Sequence, residues 1–371
     1  MIYADYNAST PIAPEVREAM APYLSTHYGN PSSRHWAGVP AADAVTHARG
    51  QLAALLGCSP EEVIFTSGGT EANNTALKGV VEASGKERPH VVTSSVEHPA
   101  VIEPCRYLER LGVAVTYLAV DGAGLVDPDD VARAIRPETV LVSVMHANNE
   151  VGTIEPIADI SRVTREAGVL LHSDAAQSVG KIPTRVDELG VDLLSVAAHK
   201  LYGPKGVGAL YLRKGVRMEP LMHGAGHEGG HRAGTENVLL DVGLGAAAGL
   251  ARDLSWTEEV RRLRDRLWTG LSSLSVDIRL NGHPSRRLPN TLNLSFPGRD
   301  GREILVALPD VAASTGSACH SGGTEPSPVL AAMGVPRDVG AGAIRLSLGR
   351  MTTEAEVEEL IERIGQVVPG G

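Results

Sequence analysis

Cysteine is scarce in this chain: Cys58, Cys105 and Cys319 are the three among 371 residues, and no two share a paired spacing. So odd and sparse a set excludes a disulfide scaffold and fits a reducing cytoplasm. A basic block is missing too, and the net charge is -10 at pH 7. General nucleic-acid binding is thereby excluded, although a local phosphate site needs only a few donors and is not. No apolar run approaches membrane-span length, and Met1 leads straight into polar sequence. Neither a transmembrane helix nor a signal peptide is expected, and no membrane partner. Internal repeats and low-complexity tracts are absent. What remains has the ordinary composition of a globular protein, long enough for two domains and a large core. Glycine is abundant at 41, much of it in short loops near the polar residues discussed next.

From Pro89 onward, strand-like runs alternate with helical ones. HVVTSSVEH, VAVTYLAV, TVLVSVMHANNE, GVLLHSDAA and VDLLSVAAHK are the strand-like stretches. This alternation argues for an α/β fold with a doubly wound, mostly parallel sheet. Upstream, EEVIFT runs into a glycine turn, SGGT, that opens a helix. Beyond GVGALYLRK the pattern changes. A Gly/His-rich loop (residues 222–237) precedes one long helical segment reaching about Leu274, then the shorter strands NTLNLSF and AIRLSLG. Thr353 and Glu356 form a capping box for a last helix. The expected division is a large domain of residues 15–250 and a smaller α/β domain of residues 251–371 that recruits residues 1–14.

Polar residues cluster just past successive strand ends: His98, Asn148 and Asn149, Asp174, Gln177 and Lys200. Ligands of parallel α/β sheets sit outside the carboxyl ends of the strands. An acid and a lysine on that edge suit pyridoxal phosphate, the lysine for a Schiff base and the acid for the pyridine nitrogen. Taken singly, Lys200 reads as a surface lysine and Asp174 as a capping acid; the shared edge decides. Ser67, Gly68, Gly69 and Thr70 read equally as a phosphate cradle at a helix start or as a plain β–α turn with a hydroxyl cap. His227, Glu228 and His231 spell a zinc-protease pattern, but glycines between and around them deny it the required helix, so no metal is expected. Gly203, Gly206 and Gly208 precede a strand and are no dinucleotide fingerprint. Cys319 lies in the small, polar loop ASTGSACHSGG, where a thiol is exposed and reactive; Cys58 and Cys105 read as structural.

Ten motifs then occur in order: YADYNAST, GNPSSRHWAG, FTSGGTEANN, SVEH, ANNEVG, HSDAAQSVGK, AHKLYGPKG, GTEN, GSAC and IRLSLGR. In these the chain resembles the cysteine desulfurases of the NifS/IscS type, within the fold-type I enzymes of pyridoxal phosphate. The selenocysteine lyases are similar. The resemblance implies a seven-stranded sheet, a homodimer, and a sulfur-acceptor or scaffold protein as partner. It implies conversion of L-cysteine to alanine, with the sulfur passing to Cys319 as a persulfide bound for iron–sulfur or thio-modification pathways. Lys200 would carry the cofactor, Asp174 pair with its ring nitrogen, Gln177 meet its hydroxyl, and His98 stack on the ring and move protons. Gly69, Thr70 and His199 would serve the phosphate, and Thr235 the phosphate in the neighbouring subunit. Asn149 would lie by the substrate or ring oxygen, and Arg345 would hold the substrate carboxylate.

Two positions depart from the family pattern. Ala197 stands where a phosphate-binding serine is usual, and His320 follows the cysteine where Ser or Thr is common. The ACHSG loop is closer to the selenocysteine lyase form, which keeps L-selenocysteine open as a substrate. A partner-binding scaffold without turnover is the remaining, non-enzymatic alternative.

Overall fold

Runs such as LLSVA and TVLVS are apolar at nearly every position because the sheet they build is covered on both faces. A computed structural model describes residues 1–315 and 327–368. Its strands are β1 (Ile2–Tyr3), β2 (Val63–Thr66), β3 (His90–Ser94), β4 (Ala114–Leu118), β5 (Thr139–Ser143), β6 (Leu170–Asp174), β7 (Leu193–Ala197), β8 (Gly208–Leu212), β9 (Arg279–Asn281), β10 (Thr291–Ser295), β11 (Val311–Ala312) and β12 (Ala343–Ser347). Seven of them form one sheet in the order β2-β8-β7-β6-β5-β3-β4. Only β8 runs against the rest, pairing antiparallel with both β7 and β2. The expected α/β class and mostly parallel seven-stranded sheet are therefore present.

Successive side chains of these strands enter opposite layers, as the twofold period of a strand requires. Val63, Val92, Val142, Leu171 and Leu194 pack on one face against the helices Val39–Leu56, Ile157–Glu166 and Val238–Ala251. Ile64, Val91, Leu141, Leu193 and Leu210 pack on the other against Gly69–Ala83 and Pro99–Arg110. Helices 39–56 and 238–251 approach closely at Gly245, where a Cβ would lie 2.5 Å from the Ala48 Cα. The single long helix expected after the Gly/His-rich loop is in fact two, Val238–Ala251 and Trp256–Ser272. Asp253 interrupts it by accepting the Ser255 amide at 2.9 Å, a local bond that competes with helical pairing.

The smaller sheet is antiparallel, in the order β12-β10-β9. Leu292, Leu294, Ile344 and Leu346 cover one face and meet the helices Trp256–Ser272 and Glu354–Val367, with Ile2 and Ala4 in the same core. The opposite face carries Thr291, Asn293, Ser295, Arg345 and Ser347 and is also buried. Such an alternation usually marks a solvated face. Here it faces the large sheet's carboxyl edge: Asn293 donates to the Glu150 carbonyl at 3.2 Å, and Asn7 links Thr291 and Ser347. Two buried walls so brought together make the site. Among the described residues no helix is long and apolar enough to cross a membrane.

Candidate active site

The carboxyl ends of β2, β3, β5, β6 and β7 open onto a cavity of about 1220 Å³, closed opposite by Arg345 and Ser314. Gly69, Thr70, His98, Asn149, Asp174, Gln177, His199 and Lys200 line it as well. Lys200 ends a short 3-10 turn (Ala198–Lys200) that follows β7 directly. The N-terminal strap holds this turn: Thr10 donates its amide to the His199 carbonyl at 2.9 Å and accepts the Tyr202 amide at 2.9 Å. Tyr202 has φ 66°, a left-handed conformation costing a non-glycine residue about 1 kcal/mol or more. The strap's bonds offset that cost and fix where the lysine emerges.

The Lys200 amine donates to the Asn7 carbonyl at 2.5 Å and the Ala8 carbonyl at 3.0 Å, and among the described residues to no carboxylate. Burial pushes its pKa down to about 8; Arg345 adds to this, while Asp174 and Asp5 oppose it. On the neighbouring strand Asp174 ends β6 and is buried. Its carboxylate accepts the Asn73 amide group at 2.7 Å and the Ala176 N–H at 2.9 Å. His98 caps the 99–110 helix, its Nδ1 accepting from the Ala100 N–H at 3.1 Å, so the neutral ring keeps its proton on Nε2. Burial pulls this imidazole below its ordinary pKa; Asp174 opposes the shift and Lys200 adds to it.

Arg345 reaches the cavity from the middle of β12. Its guanidinium pairs with Asp5 at 2.7 Å and donates to the Asn149 carbonyl at 3.0 Å, while its buried Nε has no partner among the described residues. The turn before the 69–83 helix behaves differently from a full four-residue cradle. The Ser67 amide is taken by the Glu71 carboxylate at 2.6 Å, and the Gly68 amide turns to Thr66 Oγ1 at 3.4 Å. Gly69 and Thr70, whose first-turn amides lack intrahelical acceptors, are the donors left. Gly69 abuts the departing position, since a Cβ there would lie 3.4 Å from the Ala197 Cβ. His199 stands nearby, 3.3 Å from Ser9 Oγ; burial, followed by Lys200, Lys205 and Lys181, pushes it down to about 4.

The model of the aminotransferase class-V family matches residues 2–360. The chain belongs to this family. A cysteine desulfurase IscS of Dictyoglomus turgidum is 49% identical over 380 residues, covering 99% of this chain and 96% of the relative. Another, from Methanosarcina thermophila, is 46% identical over 373 residues, covering 99% and 92%. Among solved structures, a NifS-like protein superposes with a TM-score of 0.93 at 39% identity, covering 99% of this chain and 98% of that one. SspA in complex with cysteine does so with a TM-score of 0.86 at 37% identity, covering 95% and 100%.

Not every expected residue meets in the cavity. Thr235 is exposed, in the loop before the 238–251 helix, and is not on the cavity wall of its own chain. Cys319 and His320 lie outside the described residues. Cys58 and Cys105 are pushed up to about 12, by burial first, so neither is a thiolate at neutral pH. Glu228 is spent on Arg49 at 2.6 Å and the Phe65 amide at 2.8 Å, in a segment where Gly229 has φ 64°. Several site residues escaped the sequence reading: Asn7, Asn73, Glu97, Glu150 and Lys181. Asn73 and Lys181 had a signal, standing three and four residues after Thr70 and Gln177.

Proposed function

We infer that the protein is a cysteine desulfurase that uses pyridoxal phosphate and releases alanine from L-cysteine. One observation carries the reading: Lys200 and Asp174 emerge from adjacent strands into a single cavity with Arg345 across it. The similarity to IscS cysteine desulfurases along nearly the whole chain, and to a structure holding cysteine, supports it.

The donor set fits the cofactor. Lys200 is an amine that no acid among the described residues satisfies, Asp174 a buried carboxylate suited to a pyridinium nitrogen, and Gly69 and Thr70 offer first-turn amides to a phosphate. Gln177 and His199 complete that wall, with Thr235 reaching the phosphate in the second subunit of a homodimer. Ala197 contributes no hydroxyl there, so the amides and Thr70 carry more of the phosphate. When bound, the group supplies an electron sink that lets the substrate's Cα proton leave and its Cβ–S bond break.

The chain does the rest. Arg345 exchanges the Asp5 carboxylate for the substrate's and orients Cα toward Lys200, with Asn149 alongside. With its pKa near 8, a useful fraction of the Lys200 amine is unprotonated at neutral pH and can take the Cα proton. His98, neutral with a proton on Nε2, serves the second proton transfer. The Cys319 thiolate attacks the substrate sulfur: an S–S bond forms, the Cβ–S bond breaks, its electron pair stays on carbon, and a proton completes alanine. The persulfide then passes to an acceptor protein for iron–sulfur or thio-modification pathways.

The division into residues 15–250 and residues 1–14 with 251–371 belongs to this proposal, as do the cytoplasmic setting and the homodimer. For the dimer, Leu24, Tyr28 and Trp36 stand 72%, 75% and 82% exposed on one short segment, an apolar surface suited to a second copy. Alanine release by cofactor-loaded protein tests the activity. We expect release from L-cysteine by the parent and a loss of about 100-fold or more in Cys319→Ser. No release by the parent overturns the reading; release from L-selenocysteine alone makes it a selenocysteine lyase.

A further inference from the structure

Lys181 is 4% exposed, and among the described residues no carboxylate compensates it. The charged or ionisable groups that face it are Lys200, Arg345 and His199, all cationic when charged. Burying a lysine in such company is costly and calls for a reason. The chain turns it inward at Gly180, whose φ of 76° and close packing on the Ala251 Cβ leave no room for a side chain.

The reason lies in what Lys181 holds. Its Nζ donates to Gln177 Oε1 at 2.8 Å and to Asn7 Oδ1 at 3.2 Å. A donor at both oxygens settles which way each amide points, Lys181 at Gln177 and, at Asn7, Lys181 together with Asn290 Nδ2 at 3.0 Å. Gln177 thus turns Nε2 to the Asn7 carbonyl at 2.9 Å, and Asn7 turns Nδ2 to Thr291 Oγ1 at 2.8 Å and the Asn149 carbonyl at 3.2 Å. The same Asn7 carbonyl receives the Lys200 amine. We propose that Lys181 is a positioning residue, which orients Gln177 and Asn7 and through the Asn7 carbonyl sets how the Lys200 amine is held. This rests on the reading of Lys200 as the cofactor's lysine.

Gln177 Nε2 and Lys200 Nζ share one carbonyl. Without Lys181, Gln177 is free to turn away, and the carbonyl binds the ammonium form of Lys200 more strongly. Burial, with Lys200 and Arg345 adding to it, pushes the Lys181 amine well below its usual range, so its hydrogen bonds rather than its charge carry the effect. The other groups facing Lys200 are Arg345, Asp174, Asp5, His98 and His199, and they stay in place. Lys200 in Lys181→Met therefore keeps its proton to higher pH.

Competitive acetylation of the full chain freed of pyridoxal phosphate, which would otherwise occupy the amine, followed across pH by mass spectrometry of the Lys200 peptide, reads this midpoint without turnover. It rises by about one unit in Lys181→Met and by about half as much in Lys181→Gln, which retains one donor. Gln177→Leu raises it as well, and tests the coupling even where a Lys181 variant does not fold. An unchanged midpoint in Gln177→Leu, or in either Lys181 variant that folds, overturns the proposal. Failure of the cofactor reading shows elsewhere, as a visible cofactor band that survives Lys200→Ala.

Discussion

In the strands of the large sheet and the segments that follow them lie Glu97, His146, Glu155, His172 and Lys181, all buried and all ionisable. The inner face of the small sheet buries Thr291, Asn293, Ser295 and Ser347 instead, neutral groups, with Arg345 the exception. Neutral amides and hydroxyls satisfy one another at modest net energy: the Asn281 amide group donates to Asn293 and Ser295 at 2.8 Å each. Ionisable groups in the same low dielectric shift their pKa. Burial pushes Glu97 and Glu155 up to about 8 and His146 and His172 down to about 4. In the proposed function the large sheet is the wall on which protons move, through Lys200 and His98. In the same proposal the small sheet's inner face supplies one buried charge, Arg345, for recognition.

Two substitutions test that division of labour at its strongest point. Lys200→Ala removes the proton-accepting amine, and alanine release should fall by about 1000-fold or more, with loss of the covalently held cofactor's visible band. Activity within tenfold of the parent would move the proton chemistry off this wall. Arg345→Leu removes the small sheet's charge and leaves Asp5 unpaired. Its KM for L-cysteine should rise by about 100-fold, with kcat changed far less. A fall in kcat at constant KM would instead make the small sheet part of the chemistry.

The same contrast explains what could be read in advance. Asp174, His98 and Lys200 were legible because a parallel sheet puts its functional residues where apolar runs end, and each of these runs ends abruptly. Arg345 sits inside a strand, between Ile344 and Leu346, and its alternation looks like that of any half-solvated strand; only the family resemblance singled it out. Asn7 was quoted within a motif but not chosen, since its role depends on contacts with residues 177, 181, 200 and 291, which no local pattern reveals. Ser67 had the right residue type for a phosphate cradle, but Glu71, one turn later, competes for its amide. The break at Asp253 was missed for a related reason: one side-chain bond to a neighbouring amide ended the helix.

The smallest effect separates the two sheets by pH alone. Glu155 is buried just before the 157–166 helix, one oxygen accepting the Val126 amide at 2.9 Å and the other without a partner among the described residues. Burial, aided by Asp121, raises its pKa to about 8 against the Val126 bond. A carboxyl raised in the folded state binds its proton more tightly there than in the unfolded chain. Its contribution to stability is therefore complete below about pH 4.3, the unfolded value, and is lost as pH rises through about 8. Glu155→Gln cannot ionise. Its melting temperature should fall less than the parent's between pH 5 and pH 8, by a few degrees, in thermal scans of the two proteins side by side. Ser295→Ala, in the small sheet, should cost about 1 kcal/mol equally at both pH values, because the bond it removes is neutral. A pH-dependent cost for Ser295→Ala, or parallel curves for Glu155→Gln and the parent, would erase the distinction between the two walls.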